Sequence, residues 1–331
     1  MDAMRQSPKL VTVFGGSGFL GRHVVRSLAK RGYRIRVAVR RPDLGFFLQP
    51  LGVVGQIQVV QANLRYPDSV KRALDKADAV VNCVGILSES GRQSFGWVQA
   101  EGARVVAEAA AGGLPLVHVS ALGADARSES GYARSKGEGE QAVMAARPDA
   151  VIVRPSILFG QGDSFFNRFA GLARALPVLP LAGSDTRFQP VFAGDVGEAI
   201  ALAVDGKVAG GRVYEFGGPE VRTLRQLVEY VLAVTERKRL IVDMPEGLAR
   251  IQARVLEIVD AVTLGLLPDE LKLTRDQLIL LRQDNVVSDE AKAEGLTLEG
   301  VGIAPRAMEG IVPEYLTRFR KTGQFNVERA A

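Results

Sequence analysis

Residues 10–21 read LVTVFGGSGFLG. The apolar run 10–14 enters a turn with Gly15, Gly18 and Gly21 at three-residue spacing, and the turn opens directly into RHVVRSLAKRG. A strand that feeds such a turn into a helix has a physical reading. Gly15 permits the tight turn. Gly18 lets the backbone approach a pyrophosphate with no side chain in the way. Gly21 lets the helix pack close to the strand. Helix-start N–H groups and their partial positive charge then face the anion. Ser17, Phe19 and Leu20 complete this cradle.

Outward from the turn, six short apolar runs alternate with helix-like segments. They are LVTVF, IRVAV, IQVVQ (57–61), AVVNCVG (79–85), LVHVS (116–120) and AVIVRPS. Between them lie GFLGRHVVRSLAKRG, EGARVVAEAAA and YARSKGEGEQAVMAA, with apolar residues at helical spacing. That alternation predicts an α/β fold, a Rossmann-type doubly wound parallel sheet with helices on both faces. The later chain is less regular. FFNRFAGLARALPVLPLAG reads as a helix and a Pro-rich loop, AGDVGEAIALAV as a helix, and RVYEFGG as a further strand. From Thr223 onward the pattern is mostly helical, through TLRQLVEYVLAVTE, LARIQARVLEIVDAV, RDQLILLRQ and AMEGIVPEYLTRFRK. The expected organisation is a nucleotide-binding domain over 8–155, with 190–218 returning to it. A smaller, mostly helical part is built from 156–189 and 219–327.

The second strand narrows the cofactor. An NAD site places Asp or Glu near its end to take the ribose 2′-hydroxyl. This chain has AVRRPD, with Arg40 and Arg41 at that place. A guanidinium suits a 2′-phosphate, so NADP(H) is expected over NAD(H). Asp43 lies too far into the next loop to be the first choice for the ribose. Asn63 and Leu64, after the third strand, are placed by the adenine. Cys83, Val84 and Gly85, after the fourth, flank the middle of the cofactor.

SGYARSKGEGEQAV starts a helix after the fifth strand. Tyr132 and Lys136 are four apart and share one helical face. A lysine cation beside a phenol lowers its pKa, and such a tyrosine can pass a proton to a carbonyl. Ser120, at the end of LVHVS, is the hydroxyl available for a substrate oxygen. The plainer role for the pair is to hydrogen-bond the nicotinamide ribose.

Composition excludes several classes. Forty-two Lys+Arg against 37 Asp+Glu give a net charge of +5, which favours anionic ligands or surfaces and specifies none. A single cysteine forbids an internal disulfide, and with the lack of a signal-like N-terminus suggests a cytoplasmic setting. Two histidines, His23 and His118, with one cysteine make no His/Cys metal site, so no metal is expected and both read as packing or surface residues. No stretch approaches the roughly 18 apolar residues of a membrane span. Dispersed arginines with one Trp and six Tyr argue against nucleic acid.

FGGSGFLG, YARSK and RPSILFG together resemble the atypical or extended short-chain dehydrogenases/reductases. VFGGSGFLGRHVV, VVNCVGIL, HVSALGAD, QPVFAGDV and the tail from LTRDQLILLRQDNVVS to EYLTRFRKTGQF resemble, in order, the nucleotide-binding accessory subunits of respiratory complex I and their bacterial relatives. The resemblance spans roughly residues 9–325. It implies NADP(H) bound tightly by the glycine turn, Arg40 or Arg41, Tyr132 and Lys136, with Pro155, Ser156 and Ile157 of RPSI along the same site. It implies a structural nucleotide off the electron path. It also implies complex I core subunits as partners, near the junction of the hydrophilic and membrane arms, peripheral to the cytoplasmic face of the inner membrane. The intact Tyr132/Lys136 pair keeps a second reading open, a free-standing NADPH-dependent reductase, epimerase or dehydratase. Two departures from the wider reductases bear on turnover. Phe14 stands where they carry Thr before the first glycine, and SALGAD offers Ser120 as its one hydroxyl. LARIQARVLEIVDAVTLGLLP carries apolar residues between arginines and is expected to supply a docking face or an ordinary core-facing helix.

Overall fold

Val-rich runs with few polar residues cannot face water on either side, and they form the centre of a sheet. In the computed structural model, which describes residues 9–245, 247–249, 254, 274–321 and 323, they become β1 (Leu10–Phe14), β2 (Arg34–Val39), β3 (Ile57–Gln61), β4 (Ala79–Asn82), β5 (Leu116–Val119) and β6 (Val151–Pro155). A seventh strand, Arg212–Phe216, completes one sheet in the order β3, β2, β1, β4, β5, β6 and Arg212–Phe216. All its pairings are parallel. Each parallel neighbour needs a crossover, and the crossovers carry α1 (Phe19–Lys30), α2 (Pro67–Leu74), α3 (Gly102–Ala109) and α4 (Gly131–Ala146). The order reverses between β1 and β4. In such sheets ligands bind beyond the carboxyl ends of the strands at that point.

The two faces of the sheet are covered differently. Phe14, Ala38, Val80 and Leu116 point to one face and pack with Val70, Ala73 and Leu74 of α2, Val105 and Val106 of α3, and Val143 of α4. On the other face α1 packs against the helix Ala193–Val204. Their approach is close, because a Cβ on Gly197 would meet the His23 backbone at 2.9 Å. Where an ordinary helix would link β2 to β3, the chain instead runs through two 3₁₀ segments, Pro42–Leu44 and Phe46–Leu51.

The chain divides into two compact units, the first comprising Met1–Pro155, Ala193–Phe216 and Ser288–Ala304. The last of these segments falls in the chain that periodicity assigned to the later helical part. Its hydrogen bonds explain the difference. Glu215 of the seventh strand accepts from the Ser288 N–H at 2.8 Å and donates its own N–H to Leu296 O at 2.9 Å.

The second unit comprises Ser156–Phe192, Gly217–Val287 and Pro305–Ala331. Its core gathers Phe159, Phe166, Leu179, Leu227, Val231, Val312 and Leu316. Helices Phe165–Ala175 and Leu224–Val234 supply much of it, the latter started by a Thr223/Gln226 capping box. The Pro-rich stretch read as a loop contains a strand, Val178–Leu181, paired with Leu240–Asp243. Pro180 has no N–H to give, and a two-stranded pair tolerates that on its free side. The tail read as one helix is broken into Met308–Gly310, Val312–Leu316 and Thr317–Phe319, with Pro313 in the first turn of the middle piece. Most of the 248–268 segment, expected to form a docking face, lies outside the described residues.

Candidate functional site

The glycine turn is built as its spacing requires. Gly15 takes φ +72°, and a Cβ there would press at 3.0 Å on the backbone of Cys83 and Val84. Gly21 is tighter still: its Cβ would lie 2.2 Å from Gly15 O. Gly18 caps α1 and donates its N–H to Gly15 O at 3.0 Å. No side chain caps α1, and its first turn carries no acidic residue. The helix start thus presents its N–H groups and positive dipole end without an internal anion. Ser17 and Phe19 are half-buried and Leu20 is buried.

Beyond β4 the chain passes directly over this turn. The Cys83 N–H donates to Phe14 O at 2.9 Å, and the Val84 N–H to Asn82 Oδ1 at 3.1 Å. Gly85 comes next to Lys136, whose Nζ would be 3.3 Å from a Cβ at residue 85. The sheet and α4 therefore bring the glycine turn, Cys83–Gly85, Lys136 and the end of β5 into one continuous site within the first unit.

Close packing holds α4 there. Ser130 caps it by accepting the Ala133 N–H at 3.2 Å. A Cβ on Gly137 would lie 2.2 Å from Ala126 N, so only glycine lets this helix sit against the loop after β5. Lys136 is 5% exposed and donates to Val119 O at 3.1 Å. Burial lowers its pKa to about 8, while the nearby carboxylate of Glu140 and Cys83 act in the opposite sense. Glu140 is itself buried and clamped by Arg154 through bonds of 2.8 and 2.6 Å. Burial pushes the Cys83 thiol up to about 12, against the pull of Lys136. Tyr132, one turn before Lys136, is half-buried, and its ring meets Phe95 edge-on at 5.8 Å.

Two polar groups at the end of β5 have no hydrogen-bond partner among the described residues: Ser120 Oγ and His118 Nε2. The orientation of His118 follows from its neighbour. Asn82 Oδ1 accepts from Val84, so Asn82 Nδ2 faces and donates to His118 Nδ1 at 3.2 Å, which leaves the ring proton on Nε2. Burial first, and Lys136 second, lower the His118 pKa to about 3. It is a neutral core residue and not a surface group. Among the described residues, no cluster of His, Cys, Asp and Glu can hold a metal ion.

The remaining sequence candidates divide. Arg40 and Arg41 lie past the end of β2 and are exposed. Arg41 pairs with one oxygen of Asp43 at 3.1 Å, with both side chains exposed. Arg40 has no side-chain partner among the described residues. Asn63 is spent on its own turn, with Oδ1 accepting the Arg65 N–H at 3.1 Å. Leu64 is half-buried and packs against the core beside Gly102. Pro155 ends β6, and its carbonyl accepts the Leu122 N–H at 3.1 Å. Ser156 and Ile157 belong to the second unit. There the Ser156 hydroxyl donates to Asn285 Oδ1 at 2.7 Å, and Ile157 O accepts the Val191 N–H at 2.9 Å.

Sequence reading missed the residues that brace the site. Gln99 is buried in a π-helical turn, Gly96–Glu101. It donates to Ile86 O at 2.6 Å and accepts the Ser135 hydroxyl at 2.9 Å, tying the loop after β4 to α4. π turns recur at functional sites. Glu140, at the i+4 position from Lys136, carried the one local signal.

Residues 11–217 match the NAD dependent epimerase/dehydratase family. Subunit 9 of the NADH dehydrogenase [ubiquinone] 1 alpha subcomplex of Arabidopsis thaliana, a mitochondrial protein, is 33% identical over 320 residues, 95% of this chain and 79% of that protein. A ceramide reductase of Caulobacter vibrioides is 38% identical over 187 residues, 56% of this chain and 58% of that protein. Among solved structures, an Escherichia coli NADPH-dependent quinone oxidoreductase complexed with NADPH shares the fold at TM-score 0.69 and 22% identity, over 92% of this chain and 99% of that one. With its glycine cradle, reversed strand order and Tyr132/Lys136 helix, the chain belongs to the NAD dependent epimerase/dehydratase family, and within it to the atypical short-chain dehydrogenase/reductase relatives of that complex I subunit.

Proposed function

We propose that the protein is an NADP(H)-binding accessory subunit, or assembly and stability factor, of respiratory complex I, NADH:quinone oxidoreductase, with its nucleotide held structurally. The likeness to a complex I subunit over nearly the whole chain supports this reading most. The nucleotide part rests on the cradle. Gly15 and Gly21, where a Cβ would press on backbone, an uncapped helix start, and the unpartnered Ser120 hydroxyl fit a polar anionic ligand beyond the carboxyl ends of the strands. Gly15, Gly18 and Gly21 would take the pyrophosphate, Arg40 the 2′-phosphate, and Tyr132 with Lys136 the ribose hydroxyls on the nicotinamide side. A bound nicotinamide supplies a hydride donor or acceptor. The protein's part is to bind and exclude water. Lys136, protonated below about pH 8, adds positive charge beside the site. The protein would sit with core subunits near the junction of the two arms, at the cytoplasmic face of the inner membrane.

The decisive experiment is recovery of the tagged chain from its host in mild detergent. Core quinone-reductase subunits in fixed stoichiometry, with NADP(H) released on acid denaturation, would support the reading. A soluble protein with nucleotide and no partners would overturn it.

The ceramide reductase match and the intact Tyr132/Lys136 pair favour one second reading, a free-standing NADPH-dependent reductase, epimerase or dehydratase. Tyr132 would then donate the proton and Ser120 hold the substrate oxygen. In that case Tyr132→Phe abolishes turnover of a carbonyl substrate and leaves NADPH affinity within a few-fold. Loss of binding with no turnover in either protein fits the structural role.

A further inference from the structure

The crossover between β2 and β3 is apolar where it meets solvent. Leu44, Phe46 and Phe47 are each more than half exposed, Val53 is 73% exposed, and Val54 is as open as in an extended chain at 105%. Five large apolar side chains within eleven residues is a concentration that isolated surface hydrophobics do not reach. The segment is also fixed. Buried Leu48 anchors its 3₁₀ run, which packs on α1. Gln56 staples the other end, donating to Ala29 O at 2.8 Å and Tyr33 O at 2.9 Å and accepting the Val53 N–H at 2.9 Å. The apolar side chains therefore stand on a rigid platform, so little ordering entropy opposes their burial.

The exposed charge along this stretch is mostly basic, and the acids that reach it from the neighbouring helix, Glu198 and Asp205, are taken up by Arg31 and the Tyr33 hydroxyl. Residues 15–63 contain eight Lys and Arg and a single acid, Asp43, which is tied to Arg41. Arg26, Lys30 and Arg34 are exposed. Lys30 and Arg34 adjoin the two carbonyls that hold Gln56, and Arg26 lies one turn before Lys30 on α1. A fixed set of Phe, Leu and Val side chains flanked by basic residues matches the chemistry of an anionic bilayer surface, whose acyl boundary takes the apolar groups and whose phosphates take the cations. An acidic protein patch would meet the cations but leave the phenyl rings and Val54 in water.

We propose that the β2–β3 crossover is a docking surface for an anionic lipid bilayer, with Phe46, Phe47, Val53 and Val54 entering the interface and Arg26, Lys30 and Arg34 meeting lipid phosphates. This extends the membrane-peripheral placement proposed above, and it is tested without the complex, so that the two can fail separately.

The test is co-sedimentation of the full chain with vesicles of phosphatidylcholine alone and of equimolar phosphatidylcholine and phosphatidylglycerol. The chain binds the mixed vesicles, is released by molar salt, and ignores phosphatidylcholine alone. Phe46→Ser with Phe47→Ser weakens binding about tenfold or more. Lys30→Gln and Arg34→Gln each weaken it about fivefold. The affected side chains are exposed, so thermal midpoints and NADPH affinity stay at the parent values. Absence of binding to the mixed vesicles overturns the proposal, as does binding that the double Phe variant leaves unchanged. So does a double Phe variant that loses complex I subunits in detergent while the parent binds no vesicles, because that outcome assigns the surface to a protein partner.

Discussion

Two side chains decide what the proposed site prefers and when. Arg40 stands past β2 with its guanidinium uncommitted, while Arg41 is engaged by Asp43. A charge-assisted bond to a phosphate is worth about 1.5–3 kcal/mol. Arg40→Ala is therefore expected to weaken NADPH about ten- to a hundredfold and to leave NADH nearly unchanged, as read by fluorescence titration of both. Lys136 supplies the second expectation. Its pKa of about 8 in the folded protein sets the pH above which it no longer offers a positive charge. Affinity for NADPH should hold below pH 8 and then fall by up to about tenfold per pH unit above it. An affinity flat from pH 7 to 10 would remove Lys136 from the site. The residues behind both expectations were legible in the sequence because their spacing is local: arginines at the end of a strand, and a Tyr/Lys pair one helical turn apart. Those that brace them were not. Asn82 and His118 meet only through the sheet, and Arg154 and Glu140 only where α4 lies on β6, and nothing in their own neighbourhoods announces a partner. His118 in particular reads as an ordinary histidine until its burial is seen.

At the scale of elements, α4 is the part whose sequence looks weakest. Gly137 and Gly139 in a helix interior each cost about 0.5–1 kcal/mol relative to alanine. The structure shows why alanine is nevertheless wrong at 137. A methyl group there would lie 2.2 Å from Ala126 N and 2.5 Å from the Asp125 carbonyl carbon, both backbone atoms that cannot swing aside. Gly137→Ala should therefore destabilise by about 1–3 kcal/mol despite its better helix propensity, seen as a lower urea midpoint at unchanged slope. It should also weaken nucleotide binding, because the displaced helix carries Lys136 with it. A stabilised variant would mean that the loop yields and α4 is not held by this contact. Helix and strand alternation in the first half was readable because apolar periodicity survives in isolation. The crossover after β2 and the strand Val178–Leu181 were not, since a 3₁₀ run has no amphipathic period and a strand containing Pro reads as a loop.

For the molecule as a whole, acid stability is the most direct consequence of the buried ring. His118 titrates near 6.5 in the unfolded chain and at about 3 when folded. Between those values the unfolded state binds the proton and the folded state does not. Stability is therefore complete above pH 6.5 and declines as pH falls toward 3, by up to about tenfold in the folding constant per pH unit. His118→Gln should flatten that part of the pH profile of thermal unfolding, whatever its offset at neutral pH. An unchanged slope would assign the acid transition to carboxylates instead. The family and the Rossmann-type sheet were visible from motifs along the chain. The return of residues 288–304 to the first unit was not, because it rests on bonds to the carboxylate and the backbone N–H of Glu215, more than seventy residues earlier.

The turn at Gly96–Glu101 is in effect an α-helix with one residue too many. Deleting a single residue there restores the common helical count and rotates everything on one side of the deletion by about 100°. Gln99 could then no longer reach both Ile86 and Ser135, and the two lips of the proposed nucleotide site would lose the crosspiece between them. The extra residue therefore works as a phase setting. It makes the length of this short segment, and not its composition alone, a quantity to which the proposed site is sensitive, and it adds insertions and deletions to the substitutions by which a homologous chain would keep its fold and lose its ligand.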